Sequence, residues 1–467
     1  MTKKRPLARR AAPSYHEAMD SSPQALNPGL FADLEARGLI KQVTDPELAA
    51  TLSREPLTVY AGFDPTGDSL HVGHMLPLLT LRRFQLAGHR VIAVGGGATG
   101  MIGDPSFKAQ ERSLLTYDRI EANLAGIQKQ LARFLILDGP NPAQILNNAD
   151  WFKGMTFLDF LRDVGKHFTI NHMMAKESVR ARLEDREHGI SFTEFSYMLV
   201  QAYDFYILNQ KQGCRLQIGG SDQWGNITAG IELIRRARAA HGAAQPNHPI
   251  AQREVYGLTQ PLISKADGTK FGKTEQGSVW LDPNKTSPYQ FYQFFLQTPD
   301  SEVGHYLRVF TFLELTEIER LETQVVTAPE KREAQAALAA EMTRLAHGDE
   351  ALQRSLRATQ ALFGSEIREL DIQTLLEVFA GAPSTERSAD LLGSGLPLAD
   401  LLVESGLCGS KGAARKDIAA GGIYVNNGRI TDPATLIQAQ DLVAGAYVVL
   451  RKGKKTYHLV SFRRTGV

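Results

Sequence analysis

The sequence predicts an α/β fold built on a doubly wound parallel sheet, and three observations carry that expectation. Short runs of β-branched and aromatic residues alternate with longer helical patterns from Leu57 to about Gly257. A stretch of Asp, Pro, Thr and Gly breaks the first of these runs and opens directly into an apolar helical pattern. Glycines follow the later runs, at Gly95-Gly96-Gly97 and Gly219-Gly220, where an open parallel sheet binds its ligands.

Taken in order, residues 1–27 are basic and then rich in Ser, Pro and Ala with no periodic apolar face, so they read as a disordered extension. Lys3, Lys4, Arg5, Arg9 and Arg10 resemble an organelle-targeting head, but Glu17 and Asp20 follow closely and no amphipathic stripe develops; a cytoplasmic, bacterial setting is expected. Phe31 to Leu39 reads as a short helix ending at a glycine. Residues 28–281 form the sheet-bearing domain, with strands expected at Leu57–Phe63, Val91–Val94, Leu135–Leu137 and Leu216–Ile218. The helical stretch near 151–182 has an apolar face of Phe157, Phe160, Leu161, Val164 and Phe168, for which core packing and an interface are equally compatible. A helical domain follows over 282–380, with Ala-rich runs such as Arg332 to Met342, then a linker over 381–395 opened by Gly381-Ala382-Pro383-Ser384-Thr385. Residues 396–467 read as a small α+β module of two helices and hairpins.

The turn after the first strand reads Asp64-Pro65-Thr66-Gly67-Asp68-Ser69-Leu70-His71-Val72-Gly73-His74. Its histidines stand three apart at a helix start, where backbone N–H groups and the helix dipole favour phosphate, and Gly73 leaves room for a flat base. Two lone histidines more often merely cap or pack. A second motif changes that balance: Asp267-Gly268-Thr269-Lys270-Phe271-Gly272-Lys273-Thr274 places two lysines three apart in a segment too polar and Gly-rich for a helix, which reads as a mobile cationic loop. In the third constellation Tyr197, Gln201 and Asp204 stand at i, i+4 and i+7, within roughly 60° on one helix face. Their neighbours Phe195, Met198, Leu199, Phe205 and Leu208 are apolar, and a carboxylate there is costly unless something binds it.

The His71–His74 and Lys270–Lys273 pair resembles the HIGH and KMSKS signatures of class I aminoacyl-tRNA synthetases, with Val72 for Ile and with Phe271, Gly272 and Thr274 departing from the second signature. With the third constellation the resemblance narrows to the bacterial-type tyrosyl-tRNA synthetases, over nearly the whole chain. That resemblance implies a Rossmann-like catalytic domain, dimerisation through the insertion near 151–182, and a ligase that activates L-tyrosine with ATP and passes it to the 3′-terminal ribose of tRNA(Tyr). Tyr60 and Asp204 would hold the substrate phenol; Asp104, Tyr197, Gln201 and Gln223 would surround its ammonium group. Gly62, Asp64, Gly73, Gly219, Asp222 and Lys273 would contact ATP, Asp222 at the ribose. His71, His74, Lys270, Lys273, Lys108 and Arg112 would stabilise the phosphates, although a charged surface loop accounts for the last two equally well. Ala61 and Pro77 stand where relatives often have a hydroxyl or another small residue, so ribose contacts from those two positions are absent. Mg²⁺ should accompany ATP, with no structural metal.

Composition sets the remaining bounds. With 52 basic and 51 acidic residues the chain carries +1, so no global charge announces RNA. From Leu401 onward ten Lys/Arg stand against four Asp/Glu, a local net of +6. Ser410 caps a helix carrying Lys411, Arg415 and Lys416, and an Asn427-Gly428 turn precedes Arg429; this resembles an alpha-L RNA-binding module of the ribosomal protein S-four type, with those three cations as an RNA-facing ledge. Two cysteines, Cys214 and Cys408, are too few for a zinc site and suit a reducing compartment, and no apolar run approaches a membrane span. Two other readings compete: a synthetase for another amino acid such as tryptophan or a small-molecule nucleotidyltransferase, opposed by the Tyr60/Asp204 pair and the RNA module, and a non-catalytic RNA-binding or splicing helper derived from a synthetase, opposed by intact His71, His74, Lys270, Lys273 and Asp204.

Overall fold

The computed structural model describes residues 26–104, 115–174, 176, 179–180, 190–242, 253–264, 271–274, 277–363, 366–453 and 456–463. The extension at 1–25 and the site candidates Lys108, Arg112 and Lys270 lie outside the described residues. The chain forms two compact units, one of residues up to Asp282 together with Gly304–Arg320, the other of Pro283–Val303 and Leu321 onward.

The first unit is built on a six-stranded sheet: β1 Gln42–Val43, β2 Thr58–Phe63, β3 Arg90–Gly95, β4 Gln144–Asn147, β5 Cys214–Gly220 and β6 Tyr256–Gln260. Its order is β1-β6-β5-β2-β3-β4, parallel throughout except for β1, which runs antiparallel to β6 at the edge. The chain therefore winds outward from β2 through β3 to β4 and then returns to lay β5 on the other side of β2. Carboxyl ends of β2 and β5 diverge at that reversal and leave a crevice. The helices of this unit begin with α1 Leu30–Ala36, α2 Glu47–Arg54, α3 Met75–Leu86, α4 Thr99–Ile102 and α5 Tyr117–Phe134. They continue with α6 Ala149–Phe152, α7 Phe157–Asp163, α8 Ile170–Met174, α9 Phe192–Gln212 and α10 Trp224–Gly242. Against the expected helix at 31–39, α1 stops at Ala36, and the chain turns at Gly38 with φ +74° before Leu39 re-enters the core.

One strand was misplaced. Leu135–Leu137 is not a strand: Leu135 closes α5, Leu137 is exposed, and the pairing strand is Gln144–Asn147. A run of three apolar residues after a helix has no period to tell end from strand, whereas β4 is an edge strand with only two apolar residues.

In the insertion, Val164 and Phe168 are buried, while Phe157 (63% exposed), Leu158 (76%) and Leu161 face outward. Its apolar face is thus split between core and surface.

The second unit holds α11 Pro288–Leu296, the start of α12 Asp300–Phe310, most of α13 Leu315–Thr327, then α14 Glu333–His347, α15 Asp349–Phe363 and α16 Ile372–Val378. After α16 come β9 Ser384–Ser388, β10 Leu396–Pro397, α17 Leu398–Glu404, α18 Lys411–Ala419, β11 Ile423–Val425, β12 Gly428–Ile430, β13 Leu436–Ile437, β14 Tyr447–Lys452 and β15 Thr456–Arg463. Five of these strands form a sheet ordered β12-β11-β14-β15-β9. The segment expected as a linker, 381–395, therefore contains a strand, β9, paired in parallel with β15. Ser-Thr-Glu-Arg-Ser has no apolar alternation to betray it, because an edge strand can be held by backbone bonds alone. One face of this sheet packs on α17 and α18 through Ile423, Val448, Leu450 and Val460; the other packs on Ile367, Leu375 and Phe379 through Val449 and Leu459.

Candidate active site

A cavity of about 920 Å³ fills the β2/β5 crevice. Among its lining residues are Tyr60, Ala61, Gly62, Asp64, His71, Gly73, His74, Pro77, Asp104, Tyr197, Gln201, Asp204, Gly219, Asp222 and Gln223. Residues scattered over 164 positions of sequence thus converge because β2, β5 and α9 deliver them to one end of the sheet.

At the phenol end, Asp204 and Tyr60 are both buried, 3% and 1% exposed. The Tyr60 hydroxyl has no hydrogen-bond partner. Both residues line the same cavity, and burial, followed by the Asp204 charge, pushes the Tyr60 pKa well above that of an ordinary phenol. Asp204 is not the unsatisfied carboxylate that the sequence led one to expect. Trp151 Nε1 donates to Oδ1 at 2.8 Å and Asn148 Nδ2 to Oδ2 at 3.1 Å. Burial pushes the Asp204 pKa up to about 7, opposed by those two donors and reinforced by the Asp64 charge. Two donors leave a carboxylate with spare lone pairs for a further O–H. Asn148 and Trp151 were missed, since they come from the turn after β4, more than fifty residues from Asp204. Asn148 is itself fixed, its Oδ1 accepting from Ala98 N at 2.6 Å and its Nδ2 also reaching Thr99 Oγ1 at 3.0 Å.

Beside this end lies a chain of polar contacts. Tyr197 donates to Asp64 Oδ2 at 2.8 Å, and Thr99 donates to Asp64 Oδ1 at 2.6 Å. The backbone of Gly96 passes so close that a Cβ there would fall 2.0 Å from that same oxygen. Asp64, grouped by sequence with the nucleotide contacts, is therefore engaged with Tyr197. Gln223 Nε2 donates to Asp104 Oδ2 at 2.7 Å and to Asp222 Oδ2 at 3.2 Å; its Oε1 accepts from Gln201 at 3.3 Å and from Asn226 at 3.1 Å. Gly219 lets Gln223 lie against β5, since a Cβ would stand 3.1 Å from the Gln223 Cβ, whereas nothing crowds Gly62. Four carboxylates, of Asp64, Asp104, Asp204 and Asp222, line one cavity. Such a wall suits a ligand rich in donors, an ammonium and hydroxyls.

The histidine end differs from expectation in a second way. His71 Nδ1 accepts from Gly73 N at 3.0 Å, and His74 Nδ1 accepts from His71 N at 3.2 Å, a reciprocal cap at the start of the helix. The N–H groups of Val72 and His74 are also engaged, with Val279 O at 3.0 Å and His71 O at 2.8 Å. The backbone donors expected to cradle phosphate are thus spent. The imidazole protons then sit on Nε2, because an Nδ1 that accepts places the proton on the other nitrogen. Burial and then His71 push the His74 pKa down to about 3, so it acts as a neutral donor. Gly73 is required by its neighbour: a Cβ there would lie 2.7 Å from His71 Cε1.

The lysine motif reaches the same place. Gly272, at φ +81°, lies on Val72 so closely that a Cβ would stand 2.4 Å from Val72 Cγ2. Gly272 O accepts from Val279 N at 2.9 Å, His71 bridges to Trp280, and the backbone of Lys273 and Thr274 forms β7, paired with β8 Gly277–Ser278. Phe271 is buried, with its ring stacked on Phe310 and edge-on to Tyr306, both at 5.0 Å. Its Phe271-Gly272 half is therefore a packed anchor and not a solvated loop.

In the C-terminal module Ser410 caps α18 by accepting from Ala413 N at 3.2 Å. Lys411, Arg415 and Lys416 are all exposed, Lys411 with an ion pair to Asp400 at 2.8 Å. Arg429 does not face outward freely, since it donates to Gly421 O at 2.9 Å. Among the described residues no cluster of three or more His, Cys, Asp or Glu could hold a metal, and no helix is long and apolar enough to cross a membrane.

Comparison with known proteins agrees with this geometry. Residues 52–364 match the family of class I tRNA synthetases (W and Y), and residues 374–460 match the tyrosine–tRNA ligase SYY-like C-terminal domain. The chain is 52% identical over 435 residues to a tyrosine–tRNA ligase of Geobacillus kaustophilus, spanning 93% of this chain and 99% of that protein. It is 52% identical over 433 residues to one from Roseiflexus castenholzii, spanning 92% and 99%. Among solved structures, a C-terminally truncated mitochondrial tyrosyl-tRNA synthetase of Aspergillus nidulans is similar with a TM-score of 0.64 at 33% identity, spanning 71% of this chain and 93% of that one.

Proposed function

The chain belongs to the tyrosine–tRNA ligase branch of the class I aminoacyl-tRNA synthetases, and we propose that the β2/β5 cavity carries out both steps of that ligase reaction with the residues described above. L-Tyrosine and ATP give tyrosyl-adenylate and pyrophosphate; a hydroxyl of the 3′-terminal ribose of tRNA(Tyr) then takes the tyrosyl group and releases AMP.

One observation carries the assignment of tyrosine to this cavity: a buried hydroxyl without a partner, Tyr60, beside a buried carboxylate with lone pairs to spare, Asp204. The substrate phenol would donate to Asp204 and accept from Tyr60. Phenylalanine would leave the Tyr60 hydroxyl without a partner and the spare lone pairs of Asp204 unanswered, at a cost of roughly 2–6 kcal/mol. Asp104, Tyr197, Gln201 and Gln223, with Asp64 behind Tyr197, would take the ammonium group, and Asp222 the ribose.

No side-chain nucleophile is needed, because the tyrosine carboxylate is already ionised. The work left is to hold it in line with the α-phosphate and to stabilise charge growing on the departing pyrophosphate. His71 and His74 supply Nε2–H donors to that charge, and Lys273 supplies a cation, joined in this reading by Lys270, Lys108 and Arg112. Mg²⁺ would travel with ATP on its phosphate oxygens. Arg415 and Lys416 would meet the tRNA backbone, giving affinity more than base selection. Exposed Phe157, Leu158, Leu161, Ile170, Met174 and Phe192 support a homodimer through the insertion, and the free buried cysteines Cys214 and Cys408 support a cytoplasmic setting.

The deciding experiment is ATP–pyrophosphate exchange with each of the twenty amino acids in turn. Exchange with tyrosine alone is expected; equal exchange with phenylalanine would refute the phenol contacts.

A further inference from the structure

The two signature motifs are mounted on one buried assembly whose arginines lie outside the cavity while its rings, Phe271 and Phe310, line it. α3, which begins directly after His74, carries Arg83 near its far end, only 6% exposed. A guanidinium N–H of Arg83 donates to Thr311 O, just past the last residue of α12, and its plane lies 4.6 Å from the centre of the Phe312 ring. Arg37, 5% exposed, reaches the same carbonyl cluster: it donates to Leu313 O at 2.9 Å and to Arg308 O and Thr311 O at 3.4 Å each. Asp33 joins the two, 2.8 Å from Arg37 Nε and 3.7 Å from Arg83. Both guanidiniums are aimed at the carbonyl end of α12, where the helix dipole favours positive charge.

The end of α12 that these arginines hold is the seat of the lysine motif. Tyr306 and Phe310 on its last turns make the ring contacts to Phe271. Phe271 leads into Gly272, which rests on Val72, and then into the backbone of Lys273, tied to Ser278.

We infer that Arg83, with Arg37, is a positioning residue for adenylate formation: it holds the Tyr306/Phe310 seat that fixes Phe271-Gly272, and through it the approach of Lys273 to the nucleotide. Arg83 and Arg37 do not line the cavity, so the effect is expected on the ATP side of the reaction. A misplacement of about 1 Å in a reacting group can cost on the order of 10²-fold in rate without any contact being lost at the cavity itself.

This inference rests on the reading of Lys273 as a phosphate-directed cation, and the test separates the two. Full-length Arg83→Met, Arg83→Lys, Lys273→Ala and the Arg83→Met/Lys273→Ala double variant are assayed by tyrosine-dependent ATP–pyrophosphate exchange, with tyrosine binding measured in parallel. Arg83→Met is expected to lower kcat/KM for ATP by roughly 30- to 100-fold, with tyrosine affinity within about twofold. Arg83→Lys should recover part of the loss. The double variant should be little worse than Lys273→Ala, since both changes disable one device. Unchanged ATP parameters in Arg83→Met, an equal loss of tyrosine binding, or losses that multiply in the double variant would each overturn the inference. If Lys273→Ala alone leaves exchange intact, the reading of Lys273 fails first. Should Arg83→Met not fold, Phe310→Leu removes the stacked ring and is expected to give the same split between ATP and tyrosine.

Discussion

The two ends of the cavity are built on opposite plans. At the phenol end, Asp204, Tyr60, Asn148 and Trp151 come from the sheet and the helices flanking it, with Tyr60 packed on Phe205 at 5.4 Å within the core. At the phosphate end the groups sit on a three-residue helical turn and on a two-residue strand, held by a few backbone bonds. In the proposed reading, selectivity is thus placed in the buried core. Charge stabilisation is placed where the backbone can be adjusted without disturbing the specificity pocket. The difference teaches that buried polar groups are kept costly at one end so that only one side chain answers them, while at the other end burial keeps His74 a neutral donor.

Four measurements can break or sharpen that contrast. The largest effect is expected from Asp204→Ala, which strands the donors of Asn148, Trp151 and the substrate phenol. Tyrosine-dependent exchange should lose about 10³-fold in kcat/KM for tyrosine. A loss confined to ATP would place Asp204 at the wrong end. Next, His74→Ala removes a donor to the leaving pyrophosphate and should slow single-turnover adenylate formation by about 10²-fold, with the tyrosine dissociation constant within about twofold. Equal loss of both would mean that the histidine cap organises the whole crevice.

The third is a stability measurement. Because the folded Asp204 pKa stands near 7 and its ordinary value is 3.8, the folded state binds the extra proton between those limits. Stability should therefore fall as pH rises from about 4 to 7, by up to a few kcal/mol from this group. Denaturant unfolding of Asp204→Asn should lack that portion of the slope, and an unchanged slope would show the carboxylate to be hydrated. The smallest effect is on RNA. Arg415→Ala/Lys416→Ala should weaken tRNA binding and reduce the slope of log K against log salt by about 2, leaving exchange untouched. A full-sized slope in the double variant would move the RNA face elsewhere on the module.

What could be read from sequence was whatever the chain states locally. The turn from Asp64 to His74, the α9 face of Tyr197, Gln201 and Asp204, and the glycines at the end of β5 all declare themselves within a few residues. Contacts made across the fold left no such trace. Asn148 and Trp151 reach Asp204 from another strand end, and the Val72 N–H is claimed by Val279, some two hundred residues on. For the same reason the histidines could be recognised as a pair while the exhaustion of their backbone donors could not. The lysine motif was taken as polar throughout because Phe271 stands alone among Gly, Lys and Thr; its partners Tyr306 and Phe310 are on a helix well downstream. β9 escaped notice because nothing in its five residues is apolar.

The pairing of β9 with β15 also sets an order of events during synthesis. Ser384–Ser388 leaves the ribosome long before residues 456–463, the strand it must join, have been made. Throughout that interval β9 has no partner in its own sheet, whereas every strand of the six-stranded catalytic sheet has already emerged. The nascent chain can therefore complete its catalytic sheet while the C-terminal sheet is still waiting for the strand that joins β9 to it.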